Sequence, residues 1–294
     1  MTELVENYDL VIFDLDGVLY LIDRPIPGAV DALARLREEG KPVRFATNNA
    51  SRRAAEVAAL LRGMGIAAQP HEVLTSAGAA AALLAQRLEP GAPVLVLGAP
   101  ALRSEVADVG LRPVDSADDN PRAVVQGFGP DLGWKQLAEA CVAIRAGAWW
   151  VATNTDKTLP TLRGPLPGNG SLVALLATAL EREPDVVVGK PEPGLFATAA
   201  GQASARRVLV VGDRLDTDIA GAHRAGMDSL LVLTGVSTAV EAAAAGGQLR
   251  PTYVSADLGG SSLLRRSRPC SVGRRNGMAA WTRPVLGSSR RERW

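Results

Sequence analysis

Three uninterrupted apolar runs constrain this chain most: Leu10-Val11-Ile12-Phe13, Val208-Leu209-Val210-Val211 and Leu230-Leu231-Val232-Leu233. A strand with one face in water alternates polar and apolar residues. A run that is apolar at every position suits a strand covered on both faces, as in a parallel sheet with helices on either side. Val43-Arg44-Phe45-Ala46 and Val186-Val187-Val188 read as further strands of the same kind. Helical stretches separate the runs. Ala29, Val30, Leu33 and Leu36 share one face of a helix predicted from about Gly28 to Glu39, and another is predicted near 51–64 with Ser51 as its N-cap.

The fold class that follows is α/β, built on parallel strands. A middle stretch repeats the alternation by itself. Val94–Leu97, Ala123–Val125 and Trp149–Ala152 read as strands, with helices predicted at 100–108, 134–146 and 171–182. The chain therefore divides into a first core part at 1–79, an inserted α/β domain at 80–183 and a second core part at 184–258.

Composition removes several function classes. With 294 residues, 47% hydrophobic and 21% charged, a soluble globular protein is expected. No stretch of eighteen apolar residues suggests a membrane span, and the acidic N-terminus lacks a signal-peptide pattern. Cys141 and Cys270 are the two cysteines, too few for a disulfide framework, which points to the cytoplasm. Residues 259–294 hold nine Arg and one acid, Glu292, so the chain's net +1 divides into +8 there and −7 in 1–258. The acidic body offers no basic patch for nucleic acid. The tail from Gly259 on is rich in Arg, Ser, Gly and Pro without periodicity. It reads as a basic disordered segment, a linker to a further domain, or the product of a frameshift in a GC-rich gene.

Chemistry gathers at strand ends, where open parallel sheets bind their ligands. Asp14 and Asp16 follow Leu10–Phe13, two apart and so directed alike. Such a pair repels unless a metal, a proton or a partner offsets it. Thr47 and Asn48 follow the second strand, Gly189-Lys190-Pro191 follows Val186–Val188, and Gly212-Asp213-Arg214-Leu215-Asp216-Thr217-Asp218 follows Val208–Val211. Acids to hold Mg²⁺, Lys and Thr to neutralise phosphoryl oxygens and a carboxylate to attack make up the inventory for phosphoryl transfer. His71 and His223 match no motif, and neither cysteine has the following Arg that a thiol phosphatase needs. His and Cys nucleophiles are therefore not expected. Trp149 and Trp150 read as packing residues of the inserted domain.

In order, Asp14-Leu15-Asp16-Gly17-Val18, Ala46-Thr47-Asn48-Asn49, Gly189-Lys190-Pro191 and Gly212 to Asp218 resemble the four motifs of haloacid dehalogenase superfamily phosphatases. The likeness is to the large-cap branch that contains p-nitrophenylphosphatase-like, phosphoglycolate and glycerol 3-phosphate phosphatases, nearest to the actinobacterial glycerol 3-phosphate phosphatases. Leu166-Pro167-Gly168-Asn169-Gly170-Ser171-Leu172 is a further family-like run, and the resemblance spans about 8–258.

The resemblance implies a Rossmann-like core with an inserted α/β cap. It implies Asp14 as the nucleophile and Asp16 as the general acid/base. Thr47, Asn48 and Lys190 would contact the phosphoryl group. Mg²⁺ would be held by Asp14, the Asp16 backbone carbonyl and Asp213, with Asp218 holding metal-bound water or orienting Lys190. Asp216 reads as a helix cap, and Gly168-Asn169-Gly170 as a turn that could offer amides to a substrate. The implied substrate is a small phosphate monoester, glycerol 3-phosphate first, with phosphoglycolate, pyridoxal phosphate and nucleoside monophosphates as alternatives. Phosphoryl transfer to another alcohol and a non-catalytic binding role are the other readings. A homodimer formed through the cap is the implied assembly.

Overall fold

The computed structural model describes residues 4–22, 24–161 and 163–259; the basic tail and Cys270 lie outside the described residues. A six-stranded parallel sheet forms the core, in the spatial order Tyr253–Ser255, Asp228–Val232, Val208–Gly212, Leu10–Phe13, Val43–Thr47, Val73–Thr75. Leu10–Phe13 is central, with Ile12 opposite Val210 on one side and Arg44 on the other. Its side chains alternate between two apolar layers, as strand geometry requires. Val11 and Phe13 pack with Leu33, Leu36 and Leu61 from the helices Ala29–Glu38 and Ala54–Gly63. Leu10 and Ile12 pack on Leu195, Phe196 and Ala222 from the helices Gly194–Gln202 and Ala220–Arg224. Neighbouring connections leave the central strand on opposite sides, which opens a crevice at its carboxyl end.

The second sheet is also parallel, in the order Val186–Val187, Trp149–Ala152, Ala123–Gln126, Pro93–Leu97, Arg112–Val114. Helices Pro100–Asp108, Trp134–Arg145 and Asn169–Leu180 fall within two residues of their expected spans. Trp150 is buried in this domain's core and donates its indole N–H to Gln126 Oε1 at 3.1 Å. Trp149 is half-buried, with the Arg87 guanidinium 4.2 Å from its ring centroid. No helix among the described residues is long and apolar enough to cross a membrane.

Three local expectations change. Val186–Val187 joins the inserted sheet, Val186 opposite Val151 and Val187 opposite Ala152, so that domain reaches past residue 183. A run of valines satisfies either sheet equally, and only the long-range partner decides. The expected boundary at 80 falls inside the helix Ser76–Arg87, whose Ala80, Ala81 and Leu84 pack with Leu102, Val106 and Val125 of the inserted domain. Ser51 does not cap the second helix. Its hydroxyl donates to Asn49 Oδ1 at 2.7 Å, and the helix begins at Ala54, where Glu56 Oε2 accepts the Arg53 N–H at 2.7 Å.

Candidate active site

A cavity of about 470 Å³ lies between the core strand ends and the inserted domain. Asp14, Asp16, Thr47, Asn48, Lys190 and Asp213 all line it, and Asp218 stands behind them with 0% exposure. The site residues therefore converge from segments up to about 200 positions apart.

Lys190 organises the floor. Its ammonium, 2% exposed, donates to Asp14 Oδ1 at 2.5 Å, Asp218 Oδ1 at 2.7 Å and the Ala46 carbonyl at 3.2 Å. Burial disfavours its charge, but the Asp14 and Asp218 carboxylates outweigh that and hold it protonated above the ordinary lysine value. Lys190 reaches this position from the edge strand of the inserted sheet, where Gly189 N–H bonds the Thr153 carbonyl at 2.8 Å.

Asp213, 1% exposed, follows the Val208–Gly212 strand. Its Oδ2 accepts the Val236 N–H at 2.7 Å, whereas its Oδ1 is buried without a partner among the described residues. Burial, helped by the nearby Asp218 charge, pushes its carboxyl up to about 7. Asp218 sits in a single π-helical turn, Leu215–Ile219. Its Oδ2 accepts the N–H groups of Asp213 at 3.2 Å and Arg214 at 3.1 Å. Ligand atoms of Asp14, Asp213 and Asp218 lie within 4.8 Å of one another. An all-carboxylate donor set with an orphaned buried oxygen suits a hard divalent cation. Both Asp218 oxygens are already engaged, which leaves Asp14 and Asp213 as the available side-chain donors.

Burial raises the proton affinity of Asp14 well above the usual carboxylate range, against the pull of Lys190 and with the Asp218 and Asp213 charges adding to it. Asp16, half-buried, is also raised by burial, opposed by Lys190 and Arg52. The Tyr20 hydroxyl faces Asp16 Oδ2 at 3.5 Å. Gly17 has φ +83° and passes so close to Asp213 that a Cβ would meet Oδ2 at 2.6 Å.

Thr47 is buried at the cavity, its hydroxyl accepting the Asn49 N–H at 3.0 Å. Asn48 lines the cavity too, but its amide is spent on protein groups. Its Oδ1 accepts Lys190 N–H at 2.7 Å, and its Nδ2 donates to the Lys190 carbonyl at 3.0 Å and to Asp156 at 3.1 and 3.2 Å. Asp216 is exposed and pairs with Arg214 at 2.9 Å. His71 and His223 are exposed and stand outside the cavity lining.

Two family models match this arrangement, a haloacid dehalogenase-like hydrolase model over residues 11–112 and a HAD-hydrolase-like model over 187–261. Between them they take in every residue described above except those of the cap loops. A D-glycerol 3-phosphate phosphatase of Mycobacterium tuberculosis is 52% identical over 258 residues, covering 88% of this chain and 72% of that protein. The chain belongs to the haloacid dehalogenase-like hydrolases.

The likeness extends to solved members of the family. The M. tuberculosis glycerol phosphate phosphatase in complex with magnesium superposes with a TM-score of 0.86 at 52% identity, covering 91% of this chain and 80% of that one. A 4-nitrophenylphosphatase from Thermotoga maritima gives 0.80 at 33% identity, covering 87% and 96%. Human chronophin is 41% identical over 263 residues, covering 83% of this chain and 88% of that protein. In this haloacid dehalogenase-like hydrolase the inserted domain is thus the cap, and the fold class read from the sequence stands.

Sequence reasoning missed several polar residues of this site, Arg52, Asn154 and Asp156 among them. Asp156, on the cap loop after Trp149–Ala152, lines the cavity and is raised by burial, against the attraction of Arg214. Its signal was faint, an acid closing the Thr153-Asn154-Thr155-Asp156 run at a strand end.

Proposed function

We propose that this chain hydrolyses a small phosphate monoester, glycerol 3-phosphate first, through an aspartyl-phosphate on Asp14 and with Mg²⁺ as cofactor. The observation that carries the reading is the buried Lys190 ammonium, fixed 2.5 Å from Asp14 at the mouth of the central strand. The contact leaves Asp14 Oδ2 available for in-line attack on phosphorus. Lys190 and the Thr47 hydroxyl meet the negative phosphoryl oxygens there.

Asp16 carries the proton. Burial favours its neutral form, so it can protonate the leaving alcohol oxygen as the Asp14–phosphorus bond forms. The resulting carboxylate then takes a proton from the water that attacks phosphorus, releasing phosphate and restoring Asp14. Mg²⁺, held by Asp14, Asp213 and the Asp16 backbone carbonyl with Asp218 behind, would neutralise phosphate charge against the attacking acid. The cap covers the cavity and limits bulk water during attack.

The substrate rests on the likeness to the M. tuberculosis enzyme and on the size of the cavity, which suits a small soluble ester. The scarcity of cysteine supports a cytoplasmic setting. The exposed Trp134 and Val142 on one cap helix support a homodimer, which light scattering on the purified protein checks. The reading is tested with a panel holding glycerol 3-phosphate, phosphoglycolate, pyridoxal phosphate and nucleoside monophosphates, each with Mg²⁺ and with chelator. Phosphate release that needs Mg²⁺ and is fastest on glycerol 3-phosphate is the expected result. No release from any ester would overturn the reading.

A further inference from the structure

We propose that Asp156 sets substrate specificity by accepting hydrogen bonds from hydroxyl groups on the alcohol portion of a polyol phosphate. This rests on the phosphatase reading above and deepens it by naming the substrate class. Asp156 stands on the cap side of the cavity that holds Asp14 and Asp16 on the core side. With the phosphoryl group held at the core strand ends, the rest of the substrate occupies the cap side.

The Asp156 carboxylate is underused. Among the described residues, both its oxygens share a single side-chain donor, Asn48 Nδ2, at 3.2 and 3.1 Å. A carboxylate offers about four acceptor positions, so one N–H leaves most of them open. Asp156 is half-buried on the cavity wall, near enough to Arg214 to feel its charge, so its open acceptor positions face the space that the substrate's alcohol portion would enter. Hydroxyl groups of a polyol are donors of the right kind, whereas an alkyl chain would leave the acid unpaired.

The loop is also built to hold this side chain still. Asp156 N–H donates to Asn154 Oδ1 at 3.2 Å, and its carbonyl accepts the Gly170 N–H at 2.9 Å. A Cβ at Gly168 would meet the Asp156 carbonyl oxygen at 2.5 Å, and one at Gly170 would meet the Thr155 oxygen at 2.2 Å. The Gly168-Asn169-Gly170 run thus lets the first turn of its helix press onto the Asp156 loop. The two glycines serve that approach. Fixed geometry of this sort is what discrimination between similar ligands requires.

The test compares glycerol 3-phosphate with propyl phosphate, the same chain without hydroxyls, in wild type, Asp156→Asn and Asp156→Ala. Asparagine keeps an oxygen for Asn48, so it separates charge from the contact that ties cap to core, and thermal melts check that both variants fold. The expected result is a fall of about tenfold or more in kcat/KM on glycerol 3-phosphate, mostly in KM, with propyl phosphate within about twofold of wild type. Equal falls on both esters would show a structural tie through Asn48 and overturn the proposal, as would no fall on either. A wild type inactive on both esters would instead overturn the phosphatase reading, and this proposal with it.

Discussion

Asn48 and Lys190, 142 residues apart, are joined through both backbone polar groups of Lys190: Asn48 Oδ1 accepts the Lys190 N–H at 2.7 Å, and Asn48 Nδ2 donates to the Lys190 carbonyl at 3.0 Å. The side chain acts like a short strand that fixes the backbone from which the Lys190 ammonium reaches Asp14 and Asp218. The Asn48 carbonyl in turn accepts from Ser76 Oγ at 2.6 Å and Asn154 Nδ2 at 2.7 Å. One residue therefore joins the core, the cap and the catalytic lysine.

Asn48→Ala removes both bonds and leaves a buried N–H and carbonyl of Lys190 unpaired. At about 1–3 kcal/mol for each group, the variant should lose about 2–6 kcal/mol in a denaturant titration. Its kcat should fall about tenfold or more as Lys190 loses its aim. A variant of wild-type stability and activity would contradict this role.

Gly17→Ala should act on metal affinity. The added Cβ would lie 2.6 Å from Asp213 Oδ2 in a backbone region with φ +83°. Half-maximal activity should need more Mg²⁺, and excess Mg²⁺ should recover much of the rate. Gly40→Ala, at φ +67° with open space around it, supplies the control for backbone strain alone, worth about 1 kcal/mol.

Stability of the metal-free protein should fall as pH rises. The Asp213 carboxyl stands near 7 in the folded state against an ordinary 3.8, raised by burial and by the Asp218 charge. Between those values the native state holds a proton that the unfolded chain releases, so folding weakens with rising pH across that window. The span corresponds to on the order of 4 kcal/mol, and the raised Asp14 and Asp16 push the same way. With chelator, Tm should drop from pH 5 to pH 7.5. Mg²⁺ should restore most of the loss by binding the ionised carboxylates. Asp213→Asn should flatten the metal-free profile.

Asp16→Asn should separate the two chemical steps. p-Nitrophenolate leaves without a proton, so the variant should still phosphorylate Asp14 from p-nitrophenyl phosphate but fail to activate water. Stopped-flow absorbance should then show a burst near one equivalent of nitrophenolate followed by a slow phase. Activity on glycerol 3-phosphate, whose glycerol alkoxide leaves poorly without a proton, should be lost in the first step.

The sequence carried the chemistry further than the packing. Asp14, Asp16 and Asp213 were legible because each stands beside a core strand end, where an open parallel sheet gathers its ligands. Lys190 instead follows a strand of the inserted sheet and was legible from its Gly189-Lys190-Pro191 setting. The helix Pro100–Asp108 matched its expected span because a proline start and a clear apolar face mark it locally. Val186–Val187 went to the other sheet because an apolar run records burial and not its partner. The expected role of Ser51 was taken by other groups because Asn49 competes for its hydroxyl, a contact that propensity does not contain. Asp156 escaped notice for a related reason. Its meaning comes from Asn48, 108 residues away, and from a cavity that exists only once the cap is folded.

The most direct measurement of the central claim is rapid quenching with ³²P-labelled glycerol 3-phosphate, followed by peptide mapping. An acid-stable, hydroxylamine-labile label on the peptide containing Asp14, absent from Asp14→Asn along with the phosphatase activity, is the result predicted here. Full turnover in Asp14→Asn, or a label on any other residue, would contradict it.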